Sequence, residues 1–410
     1  MTTNIAVERA RVPRNKENDY TDPMAAERRG FLSAHTGADL SHIARYSFDP
    51  GMVRGNIENF IGVAQVPIGL AGPIEIQGEY AQGQFYVPLA TTEGTLVASY
   101  NRGMRLLTEC GGVKTTVVEE KMQRAPVFIC ADAREAREFG RWITENFQSI
   151  KLQAEATTHI GKLVTIGQYQ VGPLRYLRFN YTTGDAAGQN MTGRATWAAC
   201  EWIKRTFPGN VKYILSGGVD TDKKHSHLNT LLTRGKRVVA EAVLRKDLVQ
   251  SLMGVDTKDL FFARQVHQAG AFLAGSANNG AHAANGLAAL FIATGQDAAN
   301  IAESHAGINY SQLLDNGDFY WSVTLPALIV ATCGGGTGLA TQKQCLQILD
   351  CYGTGKVNKF AEICAATVLA GETSLACAVL HGDWVTSHER LGRNRPEIKT
   401  PATLSGRRDL

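Results

Sequence analysis

The fold of this chain is decided by residues 163–181, which read LVTIGQYQVGPLRYLRFNY. The two ends of this stretch, 163–166 and 174–181, are rich in β-branched and aromatic side chains, a composition typical of strands. An earlier apolar run at 127–130 has the same character. The three runs therefore predict three strands of one small unit.

Two helical segments alternate with these strands. The first, Ala133 to Phe147, is charged and amphipathic, and Asp132 before it is a residue type that caps helix N-termini. Met191 to Thr206 is the second helical segment, and a last strand is predicted at 211–215. This order of elements is typical of a small ferredoxin-like (split βαβ) domain, here residues 126–214.

The sequence outside this domain has a more helical character. Residues 1–57 are predicted to form an N-terminal extension and helical segment, and the polar residues 1–28 are expected to be loosely docked. A helix is predicted after Glu93, because apolar residues recur there at helical spacing. Further helices are predicted at 281–294 and 358–380.

Composition argues against several classes of protein. The formal net charge is +4 with acids and bases interspersed, so no nucleic-acid partner is expected. The apolar run 325–333 is shorter than the roughly 20 residues of a membrane-spanning helix, and no secretory signal is visible. The eight cysteines contain no C-x-x-C pair, which favours reduced thiols and a cytoplasmic location. His225 and His227 have no further ligand residues near them in sequence, so no metal is expected.

Four segments far apart in sequence each present one ionisable side chain: Glu93, Lys223, Asp297 and His388. A carboxylic acid, an ammonium, a second carboxylate and an imidazole suit the reduction of a carbonyl or thioester, where an oxyanion develops and must be protonated. Each residue alone also has an ordinary structural explanation. Glu93 and Asp297 would then stabilise helix N-termini, Lys223 would lie in a solvated turn, and His388 in a tail.

Two glycine-rich segments add to this set. The loop 183–191 joins a strand to a helix, and free N–H groups at a helix start attract phosphate. It is not a G-x-G-x-x-G motif, so a Rossmann fold is not predicted. The glycines at 334–336 indicate either close packing or a close ligand. A tight structural connection explains each segment equally well by itself.

Taken together, these segments resemble the 3-hydroxy-3-methylglutaryl-coenzyme A (HMG-CoA) reductase family, and its eukaryotic-type class in the soluble catalytic region. The resemblance covers about Gly30 to Arg395. The blocks that carry it are 58–62, 67–73, 90–94, 184–191, 222–224, 281–285, 295–297 and 334–337.

The resemblance implies an α+β fold in which a large, mostly helical acyl-CoA-binding domain (58–125 and 215–385) is interrupted by a small NADP-binding domain (126–214). Residues 386–410 would form a mobile C-terminal lid or tail. The family also implies an obligate homo-oligomer, a dimer or tetramer, with an active site shared between subunits. The expected reaction is four-electron reduction of HMG-CoA to mevalonate and CoA with two NADPH, NADH being possible, and without a metal or a membrane.

The resemblance further implies roles for individual residues. Lys223 would stabilise the oxyanion, Glu93 would donate a proton, Asp297 would bridge the two, and His388 would protonate the CoA thiolate. Substrate-binding residues would be Arg124, Ser216, Asp222, Lys224, Asn285 and Arg102. Cofactor-binding residues would be Asp185, Gly188, Asn190, Met191, Thr158, His159 and Arg393.

Three departures from the family pattern leave alternatives open. Val266 stands where a lysine for the distal carboxylate is expected, and 276–280 is one residue short. His159 stands where an arginine for the 2′-phosphate is expected. A reductase of the same fold acting on another acyl-CoA is therefore one alternative, and a catalytically silent CoA- or nucleotide-binding regulator is another.

Overall fold

A computed structural model of the protein describes residues 11–382. The predicted lid at 386–410, with His388 and Arg393, lies outside the described residues.

Helices and strands alternate through the described part of the chain. Its helices are α1 (Asp22–Thr36), α2 (Leu96–Glu109), α3 (Ala133–Glu145), α4 (Phe147–Glu155), α5 (Gln189–Thr206), α6 (His227–Leu232), α7 (Lys246–Met253), α8 (Thr257–Leu273), α9 (Ala283–Thr294), α10 (Ile301–Ser304), α11 (Ala340–Ile348) and α12 (Val357–His381). Its strands are β1 (Ile68–Gly78), β2 (Gln82–Ala90), β3 (Val113–Arg124), β4 (Val127–Ile129), β5 (Lys162–Val171), β6 (Leu174–Thr182), β7 (Lys212–Ile214), β8 (Gly235–Leu244), β9 (Ile308–Leu313) and β10 (Phe319–Leu328).

The segment from β4 to β7 forms the predicted ferredoxin-like unit. Its strands lie in the order β7, β4, β6, β5, and every neighbouring pair is antiparallel. Asp132 caps α3 as predicted, accepting the N–H groups of Arg134 and Glu135. Phe128, Phe139 and other apolar side chains of the unit form a core of its own. The predicted α+β fold class is thereby confirmed.

The long strand β3 connects this unit to the rest of the protein. Its first residues pair with β1 and β8, and its last three pair with β6. Neither β3 nor β9 was predicted from the sequence. The glycines and prolines of residues 66–73 predict only a short strand with turns, whereas β1 runs for 11 residues. Gly69, Gly72 and Pro73 lower the strand propensity of β1, but pairing with both β2 and β3 overrides that local preference.

The central element of the large core is α12, which confirms the helix predicted at 358–380. By length and composition alone, α12 could span a membrane, but 78% of its 18-residue apolar window is buried inside the protein. It packs against α2, α9 and β8. These contacts are those of a core helix.

Two buried carboxylates on α12 hold neighbouring loops. Glu362 accepts the N–H groups of Tyr80 and Ala81, in the β1–β2 turn, at 2.9 and 2.6 Å. Glu372 accepts those of Ala281 and His282, just before α9, at 2.9 and 2.7 Å. Buried charge is tolerated where several donors surround it, so these contacts fix the start of α9 against the core.

The segment before α2 is anchored more firmly than its polar sequence suggested. Arg28 is fully buried and donates to the carbonyls of Pro13, Asp19 and Phe60 at 3.0, 3.0 and 3.1 Å, besides pairing with the Asp19 carboxylate. Within the described residues, the predicted loosely docked extension is therefore fixed to the body of the protein from residue 13 onward.

Gly103 on α2 is expected to be essential for stability. A Cβ atom there would collide with the backbone carbonyl of Ala370 on α12. Gly103→Ala should therefore lower the free energy of unfolding by about 2–3 kcal/mol, as overpacking of a close contact does. Urea unfolding measures this, with Gly30→Ala in α1 as control, because no atom of the described residues lies within 4 Å of a Cβ atom at that position. Equal stability of the two variants would contradict the close approach of α2 and α12.

Candidate active site

Lys223 and Asp297 come together from distant parts of the chain. Lys223 lies in the loop after β7, and Asp297 lies between α9 and the short helical turn Ala298–Asn300. The Lys223 Nζ atom is 2.8 Å from Asp297 Oδ2, and both side chains are nearly half exposed. Asp297 Oδ1 also accepts the N–H of Ala299 at 3.0 Å, so its structural role as an N-cap and its ion pair coexist.

The ion pair keeps Lys223 in its charged form. The hydrogen bond that Lys223 donates to Asp297 holds the pKa of the Lys223 ammonium above its usual value, against the opposing effect of burial. The negative charges of Asp222 and Glu303 also raise this pKa. A protonated ammonium at a solvent-accessible position can stabilise a developing oxyanion.

Glu93 occupies the predicted junction between a loop and a helix. It follows β2 and precedes α2, with its N–H bonded to Thr91 Oγ1 at 3.0 Å. Asn285, at the start of α9, donates to Glu93 Oε2 at 2.9 Å. Within the described chain, neither Lys223 nor Asp297 is hydrogen-bonded or ion-paired to Glu93. The structure thus brings together two pairs, Lys223 with Asp297 and Glu93 with Asn285.

The glycines at 334–336 are explained at least partly by close packing. A Cβ atom on Gly336 would lie 2.6 Å from the carbonyl oxygen of Gly295. A Cβ atom on Gly295 would likewise collide with the Gly336 carbonyl. The two backbones are therefore in direct contact two residues before Asp297.

Two predicted substrate residues meet at a carboxylate that the sequence analysis missed. Arg124 Nη1 and Ser216 Oγ both donate to Asp220 Oδ2, at 3.1 and 2.8 Å. Asp220 is 2% exposed. The Asp220 carboxylate therefore fixes the positions of Arg124 and Ser216 at the edge of the Lys223 loop.

Asp222 links the substrate loop to the start of α5. Its Oδ1 atom accepts from Arg234 Nη2 at 2.5 Å and from Gln189 Nε2 at 3.2 Å. Gln189 Nε2 also donates to Asn300 Oδ1 at 2.9 Å. Gln189, the first residue of α5, therefore connects the glycine loop, the Lys223 loop and the segment after Asp297.

Lys224 is joined to this network through the backbone of Asp222, whereas Arg102 contacts α12. Lys224 is exposed, with its ammonium 3.0 Å from the carbonyl of Asp222. Arg102 on α2 donates to the hydroxyl and the carbonyl of Ser374 on α12, at 3.1 and 2.8 Å.

The glycine loop before α5 is suited to an anionic ligand. Gly188 has φ +83°, and a Cβ atom there would collide with Thr183, so only glycine fits. No side chain within residues 11–382 caps the helix that follows, so its first N–H groups are available to a ligand. Asn190 is exposed beside them, and Met191 Sδ accepts a contact from Thr158 Oγ1 at 3.1 Å. Thr158 and its neighbour His159 therefore lie next to this loop.

Asp185 has a different immediate role from the one predicted. Its carboxylate accepts the N–H groups of Gly355, Lys356 and Val357, at 2.8, 3.1 and 3.2 Å, and so caps α12. The loop before α5 is thereby fastened to the central core helix.

The comparisons with known proteins agree with this geometry. The sequence profile of hydroxymethylglutaryl-coenzyme A reductase matches residues 24–393. The chain belongs to the hydroxymethylglutaryl-coenzyme A reductase family. It is 44% identical over 378 residues to the 3-hydroxy-3-methylglutaryl-coenzyme A reductase of Pyrococcus abyssi, covering 89% of this chain and 92% of that protein. Identity to the reductase of Methanocaldococcus jannaschii is 43% over 389 residues, covering 93% and 96%.

The fold is also that of a solved reductase structure. A class II 3-hydroxy-3-methylglutaryl-CoA reductase from Streptococcus pneumoniae, bound to NADPH in open conformations, aligns with a TM-score of 0.66. The alignment covers 87% of this chain and 86% of that one at 19% identity.

The region around Val266 does not supply the positive charge that was expected there. Val266 on α8 is 56% exposed and carries no charge. Arg264 does not replace the missing lysine, because it is buried, donates to the carbonyl of Asn279 at 2.8 Å and stacks over Trp321. His267 lines a cavity together with Asn278 and His305.

Three residues that organise this candidate site were not predicted from the sequence: Asp220, Gln189 and Glu303. Asp220 lies two residues before the Asp222-Lys223-Lys224 motif and has no sequence feature that distinguishes it from that motif. Glu303 was detectable as an isolated acid in an otherwise uncharged stretch, 298–304. Among the described residues, no group of three or more histidine, cysteine, aspartate or glutamate side chains is placed to hold a metal ion.

Proposed function

We propose that this protein reduces 3-hydroxy-3-methylglutaryl-CoA to mevalonate and CoA with two equivalents of NADPH. The Lys223–Asp297 ion pair carries this proposal, because it places a charged ammonium at an accessible position in a chain of this family. The relatives from Pyrococcus and Methanocaldococcus are named reductases of that substrate, and this chain matches them over nearly their whole lengths.

Lys223 acts on the carbonyl oxygen of the substrate. Its ammonium donates hydrogen bonds to the oxygen as negative charge develops there, first at the thioester and then at the aldehyde. Asp297 orients the ammonium, and its hydrogen bond keeps the pKa of Lys223 high enough for the group to remain protonated at neutral pH.

Glu93 delivers the proton that neutralises the oxyanion. Asn285 donates to one carboxylate oxygen, which leaves the other directed to the reacting group. His388, outside the described residues, is assigned the protonation of the departing CoA thiolate.

The acyl group is held by the residues around the Lys223 loop. Arg124 can grip a carboxylate with its guanidinium, and Lys224 adds a further donor. The Ser216 hydroxyl, whose proton is donated to Asp220, offers its oxygen as an acceptor. Asp222 lies beside Arg124, and its carbonyl accepts from Lys224, whereas Asn285 holds Glu93. Arg102 is assigned to a CoA phosphate. Val266 in place of a lysine reduces the positive charge available for the distal carboxylate. A substrate other than HMG-CoA is therefore the alternative, and a panel of acyl-CoAs tests it.

The nicotinamide cofactor is assigned to the domain 126–214. The uncapped N-terminus of α5 and the glycine-only position 188 fit a pyrophosphate, with Asn190, Met191, Thr158 and His159 beside it and Asp185 anchoring the loop from below. When bound, the cofactor supplies hydride. Arg393, outside the described residues, and His159 are the candidates for contact with the 2′-phosphate that distinguishes NADPH from NADH.

The acyl-CoA is assigned to 58–125 and 215–385, and we infer that two subunits complete each active site. Among the described residues, Glu93 makes no hydrogen bond or ion pair with Lys223 or Asp297, which supports a shared site in a homodimer or tetramer. Co-expression of Lys223→Ala with Glu93→Gln chains tests this. Activity restored above that of either variant supports sharing of these two residues between subunits, and no restoration contradicts it.

We also propose that the protein belongs to the eukaryotic-type class of the family and that it is located in the cytoplasm. The chain is 44% identical to an archaeal reductase but only 19% identical to a structure named class II. This difference supports membership of a class other than class II. Cell fractionation with an antibody to the protein tests the location.

The deciding experiment is nicotinamide oxidation by the purified protein with HMG-CoA, run in parallel with NADPH and NADH. Turnover with release of CoA supports the proposed reaction and identifies the coenzyme. If the cofactor binds but HMG-CoA is not turned over, a panel of other acyl-CoAs is assayed. Turnover of one of them indicates an altered substrate, and turnover of none indicates a silent CoA- or nucleotide-binding regulator.

His388→Ala should separate the two halves of the reaction. We expect turnover of HMG-CoA to fall by about 10- to 100-fold, because the thiolate leaves unprotonated, while reduction of free mevaldehyde changes far less. Stopped-flow measurement of NADPH oxidation with each substrate compares the two. Equal losses on both would argue against a thiolate-protonating role.

A further inference from the structure

Glu303 lies directly beneath the Lys223 loop. It is 1% exposed, on the short helix α10. Its Oε1 atom accepts the backbone N–H of Lys223 at 2.5 Å. Its Oε2 atom lies 2.7 Å from Arg234 Nε and 3.3 Å from Asn229 Nδ2. One buried carboxylate therefore joins the backbone of the proposed oxyanion-stabilising residue to the polar core below it.

The backbone of this loop requires such support. Lys223 has φ +55°, and Thr221, two residues earlier, also has φ +55°. Left-handed conformations are unfavourable for residues with a Cβ atom, and they persist only where surrounding contacts hold them. Thr221 is held by Asn229, to which its hydroxyl donates at 2.6 Å. For Lys223, the corresponding contact is the N–H bond to Glu303.

We propose that Glu303 is a positioning residue that fixes the left-handed backbone of Lys223 and so directs its ammonium toward Asp297 and the substrate carbonyl. The inference rests on the proposed function, and it adds a residue that touches neither substrate nor cofactor. Its consequence is that the charge on Glu303 controls the rate of the chemical step rather than the binding of either ligand.

The surroundings make this contact sensitive to pH. Arg234 and Arg178 face Glu303 from below, Lys223 faces it from above, and Asp222 is the nearby acid. Burial raises the pKa of Glu303 to about 7, against the lowering effects of Arg234 and the Lys223 N–H. Protonation places an O–H among groups that are all donors, so the hold on Lys223 weakens as pH falls through about 7.

Glu303→Gln tests the proposal, because its amide N–H₂ would oppose Arg234 and Asn229. We expect kcat with HMG-CoA to fall by about 10- to 100-fold, the effect of a small displacement of a catalytic group, with the KM for NADPH unchanged. The fall in wild-type kcat on the acid side of pH 7 should be absent from the variant. Glu303→Asp keeps the charge but is too short to reach both Arg234 and Lys223, and it should show the same loss of kcat with the acid limb retained.

Glu362→Gln is the matched control, because Glu362 is also a fully buried carboxylate that accepts backbone N–H groups, but in the β1–β2 turn. It should lower the melting temperature and leave kcat and its pH profile unchanged. A Glu303→Gln variant that resembles this control would overturn the proposal. If Glu303→Gln does not fold, unchanged kcat in Glu303→Asp overturns it instead. If the wild-type protein does not turn over HMG-CoA, the proposed function is contradicted. If it does, the kcat values of the Glu303 variants relative to the Glu362→Gln control test the role of Glu303.

Discussion

Lys223→Ala should abolish most of the activity while leaving cofactor binding intact. We expect kcat with HMG-CoA to fall by about 10²- to 10³-fold, which is the usual effect of removing a single donor to an oxyanion. Among the described residues, the Lys223 ammonium is paired only with Asp297, and it is nearly half exposed. Its removal therefore leaves no buried charge and should not unfold the protein. Steady-state kinetics and fluorescence titration with NADPH measure the two effects separately.

Lys204→Ala is a suitable control for this variant. Lys204 is an exposed lysine in the last turn of α5, at the opposite end of that helix from the glycine loop. Its variant should retain wild-type kcat. A near-wild-type rate for Lys223→Ala would remove the assigned role of Lys223 and with it the proposed mechanism.

Glu93→Gln should lower the rates of both reduction steps. Glutamine keeps an oxygen that can accept the hydrogen bond from Asn285, so the local structure is preserved while the transferable proton is lost. We expect kcat to fall by about 10²- to 10⁴-fold with HMG-CoA and with free mevaldehyde alike, as for loss of a general acid. This distinguishes Glu93 from His388, whose loss should spare the aldehyde.

The control for this substitution lies on the neighbouring helix. Glu109 is an exposed carboxylate at the end of α2, and Glu109→Gln should have wild-type kinetics. Reduction of mevaldehyde at an unchanged rate by Glu93→Gln would show that the proton comes from another group. Melting temperatures within about one degree of each other would show that neither substitution acts through stability.

Local sequence was sufficient for the elements whose pattern agrees with their environment. The helix α3 begins where Asp132 predicts, and α5 and α12 match their predicted spans within three residues because their composition and periodicity favour helix throughout. The strand β1 was underestimated, because Gly69 and Pro73 disfavour a strand locally and only pairing on both edges stabilises it. Propensity is a property of the segment, whereas pairing depends on strands distant in sequence.

The candidate site also has features that the sequence determines and others that depend on tertiary structure. By itself, the sequence determined which chemical groups are present and, through the motifs around Glu93, Lys223 and Asp297, the family to which the chain belongs. Only the tertiary structure decided which groups meet: Lys223 with Asp297, and both Arg124 and Ser216 with Asp220. It also decided that Asp185 caps α12. A buried carboxylate such as Glu303 acquires its role from donors brought to it by folding, and no local pattern encodes which donors those will be.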